Sequence, residues 1–119
     1  MHEIGALYKM VLQAEKTAKA NHVMRIKAMT VEVGELSGIL PVFLEKYYSI
    51  VIENHPILQG SELNIKMIPG EGLCDECHAL YNVAANEGAC PKCGSRNKTI
   101  LGGRDFVLKS ILVEENTEV

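Results

Sequence analysis

The 119-residue sequence contains no tryptophan and only two phenylalanines and four tyrosines. Proteins that hold single-stranded nucleic acid stack bases on aromatic rings, so this scarcity argues against that class of function. The sequence also lacks an excess of basic residues, because 12 lysines and arginines stand against 15 aspartates and glutamates. Binding to phosphate backbones needs a basic face, and we therefore expect no nucleic-acid partner.

Long apolar segments are missing as well. No uninterrupted apolar run approaches the ~18 residues that would indicate a membrane-spanning helix. The third residue is an acid, Glu3, where a secretion signal would carry bases. We therefore expect a cytoplasmic protein with no membrane partner. The length fits one domain, or a small domain with an insertion, and excludes a large multi-domain enzyme.

Hydrophobic periodicity predicts two helices and three strands. Residues 3–19 and 38–52 place apolar side chains at helical spacing, whereas 25–33 and 63–67 alternate as half-buried strands do. Residues 106–113 supply a last strand. Because a strand, a helix and a strand usually form a parallel unit, the expected fold is α+β, with two helices on a small three-stranded mixed sheet (α-β-α-β-β).

The same periodicity assigns core residues and leaves two histidines outside the core. In the first helix the apolar stripe comprises Ile4, Leu7, Tyr8, Val11, Leu12 and Ala18, and in the second it comprises Phe43, Tyr47, Ile50 and Val51. We expect both stripes to be buried. His22 follows the first helix and His55 lies in a loop, so we expect both side chains to be solvated.

All four cysteines lie in one segment, and their pattern is CxxC, twelve residues, CxxC: Cys74, Cys77, Cys90 and Cys93. In a reducing compartment this spacing indicates four thiolates around one tetrahedral Zn²⁺. Dithiol redox chemistry is an alternative, but a catalytic CxxC usually opens a helix, and two matched pairs favour zinc. Four sulfur ligands leave no open position for water, so the predicted zinc is structural.

Residues 70–104 form the predicted zinc-binding domain, an inserted zinc-ribbon module, while 1–69 and 105–119 form the other domain. The insert has 35 residues, too few to build a core without a staple such as zinc. It holds four basic and four acidic residues. A Zn(Cys)₄ centre adds a charge of −2, so the module is net negative and a poor match for a polyanion.

The two cysteine turns differ in the residue that follows them. Gly94 follows the second pair and can take a positive φ, which allows a tight turn. His78 follows the first pair, and we expect a looser turn there. We also expect His78 to be solvated or to lie near a ligand without binding the metal itself.

The amino terminus is a second candidate metal site. The Met1 amine, the His2 amide nitrogen and the His2 imidazole can close two fused chelate rings, and the Glu3 amide or carboxylate can supply a fourth donor. A nitrogen-rich, square-planar donor set suits Ni(II) and Cu(II). A histidine at this position is also common on solvated chain ends, so the motif by itself leaves that alternative open.

Taken together, Met1-His2-Glu3, the segment VGELSGI at 33–39 and the cysteine spacing that ends in CPKCGS resemble the HypA/HybF family of nickel-incorporation proteins, which mature nickel-iron hydrogenase. The resemblance runs over nearly the whole chain. It implies a nickel site at Met1, His2 and Glu3, a structural zinc on the four cysteines, and a nickel-binding domain of two helices on a three-stranded sheet.

The resemblance also implies a function and partners. Family members work with a HypB-type GTPase and deliver nickel to the hydrogenase large subunit, in some bacteria also toward urease. The predicted function is therefore a nickel metallochaperone, not an enzyme, with zinc as a structural cofactor and nickel as cargo. A zinc-ribbon interaction module with no nickel role is the alternative, and the sequence leaves a homo-oligomer open.

Overall fold

A computed structural model describes residues 2–114, with the backbone alone for His2. The chain divides into two compact units, and we describe each by itself. The first comprises the described parts of Met1–Glu32, Leu40–Lys66 and Val107–Val119, and the second comprises Val33–Ile39 and Met67–Phe106. Within residues 2–114 no helix is long and apolar enough to cross a membrane.

The elements follow the predicted order, with three further strands in the cysteine segment. The helices are α1 (His2–Ala20) and α2 (Pro41–Val51), and the strands are β1 (Ile26–Gly34), β2 (Glu62–Ile68), β3 (Glu71–Cys74), β4 (Leu80–Asn82), β5 (Lys98–Gly102) and β6 (Phe106–Val113). Two short 3₁₀ turns, Ile52–Asn54 and Pro56–Leu58, connect α2 to β2. The predicted α+β class is confirmed.

Helix α1 buries a narrower stripe than its sequence predicts. Leu7, Val11, Ala14 and Ala18 are fully buried and recur every three or four residues, as one helix face requires. The prediction that Ile4, Tyr8 and Leu12 belong to this core is wrong, because these side chains are 39%, 47% and 40% exposed. They form a second stripe at four-residue spacing. Hydrophobic periodicity alone does not distinguish this exposed stripe from the buried one.

The first sheet has the order β2-β1-β6, with β1 in the centre. The Glu35 N–H donates to Ile68 O at 2.9 Å, so the ends of β1 and β2 meet and the two strands are parallel. The Glu114 N–H donates to Arg25 O at 3.1 Å, which joins the end of β6 to the start of β1. Strand β6 is therefore antiparallel to β1, and the predicted mixed sheet is confirmed.

Helix α2 begins at Pro41, three residues later than the sequence indicates. Proline suits the first helical position because its missing N–H would have no partner there. The buried residues of α2 are Leu44 and Tyr48. The predicted stripe of Phe43, Tyr47, Ile50 and Val51 is only partly buried: Ile50 is 61% exposed, whereas the other three are half-buried and Phe43 stacks on Tyr47.

The cysteine segment contains its own antiparallel sheet, of order β4-β3-β5, which hydrophobic periodicity did not predict. Gly72 in the central strand pairs with Tyr81 of β4 and with Ile100 of β5. These strands are only three to five residues long, too short for an alternating pattern to stand out.

Glycines allow three backbone segments to meet at the start and end of the cysteine segment. The Leu36 N–H donates to Gly103 O at 2.7 Å, and Gly34 lies directly against Gly103. Gly103 has φ +89°, and a methyl group there would lie 2.5 Å from Pro69 O and 2.6 Å from Gly70 Cα. Because backbone atoms cannot move aside as a flexible side chain can, this position requires glycine.

We expect Gly103→Ala to lower the free energy of unfolding by about 2–5 kcal/mol, from the left-handed conformation and the backbone collision together. The neighbouring Gly102→Ala is the matched control, since a methyl group there meets nothing within 4 Å. Urea denaturation followed by circular dichroism measures both variants. Equal midpoints for the two would contradict the importance of this close approach.

Candidate metal centre

The four cysteine sulfurs converge on one point. Their Sγ atoms all lie within 4.8 Å of one another, and none forms a disulfide. The Sγ atoms of Cys74 and Cys93 are 3.5 Å apart, and those of Cys77 and Cys90 are 3.6 Å apart. A tetrahedral zinc ion with Zn–S bonds of about 2.3 Å separates its sulfurs by about 3.8 Å. The donor set and its spacing therefore fit a structural Zn²⁺.

The two CxxC turns have the same hydrogen-bond pattern. The carbonyl of Cys74 accepts from the His78 N–H at 2.9 Å, and the carbonyl of Cys90 accepts from the Gly94 N–H at 2.8 Å. Each turn brings both of its thiols to the same side. The metal centre is therefore built from two equivalent halves, one from each end of the segment between β3 and β5.

The expectation of a looser first turn is wrong. His78 has φ +64°, close to the +78° of Gly94, so it occupies the equivalent left-handed position. Histidine is one of the residues that enters this region more readily than most side chains do. The His78 side chain is exposed and does not belong to the four-cysteine cluster.

Backbone amides favour the thiolate forms of two cysteines. The Cys77 N–H donates to Cys74 Sγ at 3.5 Å and lowers the pKa of the Cys74 thiol. Burial opposes ionisation of Cys90, but the backbone amides of Cys93 and Lys92 lower its pKa to about 7. Thiolates are the metal-binding form of cysteine, so both turns are arranged for a cation.

The Cys93 sulfur shows why the cluster needs that cation. The Ser95 backbone amide favours the Cys93 thiolate, but the adjacent Cys74 sulfur and burial together raise the pKa of Cys93 to about 12. Four negative charges cannot accumulate within a few ångströms without a counter-charge. A divalent ion supplies it, and four sulfur ligands then leave no position open for catalysis.

The predicted nickel site falls only in part on described residues. Met1 and the His2 side chain lie outside them, while the His2 backbone begins α1. The Glu3 side chain is 7% exposed, and its Oε2 accepts a hydrogen bond from the Leu40 N–H at 3.3 Å. Glu3 therefore holds the start of α1 against the start of α2.

This contact of Glu3 was not predicted from the sequence, although a signal for it was present. Leu40 is the N-cap of α2 and makes no side-chain capping bond, because leucine has no acceptor. Another residue must then satisfy the free amides at that helix end. A carboxylate suits the position, since the amino end of a helix carries a partial positive charge.

Both remaining histidines were expected to be solvated, and for His55 this prediction is wrong. The Nδ1 of His55 lies 3.0 Å from Glu15 Oε2, its side chain is only 13% exposed, and the Tyr8 ring packs edge-on at 6.0 Å. His22 is exposed, as predicted, and has φ +58° just after α1. The His55–Glu15 pair joins residues 40 positions apart, which no local pattern indicates.

The segment 33–39, which carries the VGELSGI motif, belongs to the unit that contains the cysteines. The Glu35 carboxylate accepts hydrogen bonds from the Gly70 N–H and the Asn82 side-chain amide, both at 2.8 Å. Both bonds lower the pKa of the Glu35 carboxyl, and the bond from the Gly70 N–H has the larger effect. The motif thus has a structural role that its sequence did not reveal.

Comparisons with known proteins agree with these features. Residues 1–113 match the family model described as "Hydrogenase/urease nickel incorporation, metallochaperone, hypA". The hydrogenase maturation factor HypA of Dechloromonas aromatica is 32% identical over 114 residues, covering 96% of this chain and all of that protein. HybF of Proteus vulgaris is 31% identical with the same coverage.

Two solved structures share the fold. A solution structure of a HypA protein is 25% identical, with a TM-score of 0.69 over 96% of this chain and 97% of that one. The solution structure of the nickel metallochaperone HypA from Helicobacter pylori, at 24% identity, has a TM-score of 0.67 over 93% and 96%. The chain therefore belongs to the HypA family of nickel-incorporation metallochaperones.

Proposed function

We propose that this HypA-family chain holds Ni(II) at Met1, His2 and Glu3 for insertion into hydrogenase, while Cys74, Cys77, Cys90 and Cys93 hold a structural zinc. The observation that carries this proposal is the family match over residues 1–113, which includes both candidate sites. Nickel is cargo here and zinc is a resident cofactor. The protein acts stoichiometrically, in the cytoplasm, and turns over no substrate.

Glu3 contributes its backbone amide to nickel, not its carboxylate. The carboxylate is buried and already accepts a hydrogen bond from the Leu40 N–H. The amides of the first helical turn have no partner within the helix, so those of His2 and Glu3 can bind a metal once each nitrogen has released its proton to solvent. With the Met1 amine and the His2 imidazole they complete four nitrogen donors, which suits square-planar Ni(II).

The partners are a HypB-type GTPase and the hydrogenase large subunit, as expected for the family. Support for a protein partner comes from the exposed stripe of Ile4, Tyr8 and Leu12 on α1. This stripe starts two residues after His2, so a partner that covers it lies beside the nickel donors. Apolar side chains grouped on an exposed helix face are typical of a docking site.

Replacing Cys90 with serine is expected to release zinc and unfold the second unit, because structural zinc contributes about 10–16 kcal/mol to folding. Removal of zinc by a chelator should have the same effect. Zinc content by mass spectrometry and a two-dimensional amide spectrum measure the outcome. Lys92→Gln, in the same turn, should keep both the zinc and the spectrum. One zinc per chain in Cys90→Ser would contradict the ligand assignment.

For nickel, His2→Ala should abolish tight binding without changing zinc content, whereas Glu3→Gln should bind nickel almost as the parent does. Glutamine keeps the side-chain oxygen that accepts from Leu40, and it keeps the amide donor. Calorimetry on untagged protein measures both. Affinity should also fall from pH 8 toward pH 6, because two amides must release protons when nickel binds and because protons compete for the amine (pKa ~7.7–8.0) and the imidazole (~6.5).

The free amine is tested by tag position. A short tag before Met1 converts the amine into an amide and should weaken nickel binding, whereas the same tag after Val119 should not. Equal nickel affinity for both tagged proteins and for His2→Ala would reject the terminal site and leave a zinc-ribbon interaction module as the remaining function.

The docking stripe is tested by Leu12→Glu, with Gln13→Glu as a control of equal charge on a neighbouring exposed position. We expect Leu12→Glu to weaken the complex with a HypB-type GTPase by about 10- to 100-fold, because one buried apolar side chain contributes ~1.5–3 kcal/mol. Nickel and zinc content should stay unchanged. Similar affinities for the two variants would place the GTPase elsewhere.

A further inference from the structure

A groove with basic side chains lies in the second unit, and none of the four cysteines lines it, although Asp75 of its lining directly follows Cys74. It is a shallow groove, open to solvent, with a volume of about 570 Å³. Its lining combines apolar side chains with cations: Leu36, Val83 and Ile100, and Arg96, Lys98 and Arg104. One acid, Asp75, also lines it.

A glycine in the centre of the sheet allows two of the lining residues to pack closely on the β3 backbone. A methyl group on Gly72 would lie 2.8 Å from Val83 Cγ2 and 3.7 Å from Lys98 Cδ. Without that methyl group, Val83 and the stem of Lys98 pack over the β3 backbone. Five of the lining residues come from β5 or its flanks, so the groove follows an edge strand of the sheet.

The cations around the groove are not neutralised by carboxylates. Arg96 Nη1 donates to the backbone carbonyl of Glu87 at 3.0 Å, and Lys98 Nζ donates to the carbonyl of Arg96 at 2.7 Å. None of the ion pairs among the described residues includes Arg96, Lys98 or Arg104. Asp75 Oδ1 accepts from the Thr99 hydroxyl at 2.8 Å.

Residue counts conceal this local charge. The segment 70–104 has as many acids as bases, yet three of its four bases line one groove together with a single acid. The side chains that line the groove thus carry a net charge of +2, next to a zinc centre of −2 and within a protein that carries −3. An oppositely charged ligand is attracted to such a site although the whole chain does not attract polyanions.

We propose that this groove binds an acidic peptide segment of a partner protein. Apolar side chains of the segment pack on the half-buried Leu36 and Ile100, while its carboxylates face the cations. An inorganic anion would make no contact with the apolar side chains of the groove. None of the described lining residues is an aromatic on which nucleic-acid bases could stack. The proposal goes beyond nickel delivery and does not depend on the terminal site.

A short synthetic peptide in which glutamate alternates with leucine or valine serves as the probe, titrated against zinc-loaded protein and followed by amide chemical shifts. We expect shifts along β5 and binding that weakens with salt. The triple variant Arg96→Gln, Lys98→Gln, Arg104→Gln should bind about tenfold more weakly. The control Lys9→Gln, Lys16→Gln, Lys27→Gln changes the net charge equally on exposed sites and should bind as the parent does.

Further variants and ligands test the same proposal. If the peptide packs on the apolar side chains of the groove, Ile100→Thr should weaken binding several-fold. If the triple variant of Arg96, Lys98 and Arg104 loses zinc, the single variants Arg104→Gln and Lys27→Gln are compared in its place. No shifts at ~1 mM peptide, equal losses in both triple variants, or equal binding of a glutamine-substituted peptide would overturn the proposal. Tighter binding of inorganic phosphate or of a single-stranded oligonucleotide in the groove would also overturn it.

Discussion

The folded state of the second unit depends on four sulfur atoms that share one cation. Its buried cluster consists of Cys74, Tyr81, Val83 and Cys90, so half of that core is also metal-binding. So few apolar side chains cannot offset the conformational entropy of about 47 ordered residues. The backbone amides that favour thiolates at Cys74 and Cys90 prepare the site for a divalent ion, and the ion in turn joins β3 to the end of the segment before β5.

Sequence alone predicted the features that are encoded locally. The CxxC pairs indicated the sulfur cluster because three-residue spacing places two thiols on one turn, and periodicity indicated both helices and the mixed sheet. The contacts that it missed join distant positions: Glu3 with Leu40, and Glu15 with His55. Burial of α1 and α2 was only partly predicted, since apolar residues such as Leu12 and Ile50 remain exposed. Exposed apolar stripes have the same periodicity as buried ones.

The proposed nickel donors and an anchoring hydrogen bond both lie in the first turn of α1. A terminal amine and unpartnered amides are ordinarily free to move, which disfavours a fixed coordination geometry. The buried Glu3 carboxylate holds the start of α1 to the start of α2, so the donors of the proposed nickel site include and adjoin an anchored residue. An anchored start would lower the entropy that the proposed site loses when a metal organises its ligands.

The glycine contact at Gly103 also bears on how such proteins diversify. Pro69 and Gly70, where the cysteine segment begins, lie against the residue where it ends. The cysteine segment thus begins and ends at the same place. Its length is therefore not set by a distance that it must span. Doubling the length of a flexible loop costs only about 0.6 kcal/mol in closure entropy. Lengthening a turn within this stretch would therefore cost little closure entropy as long as the four cysteines keep their positions.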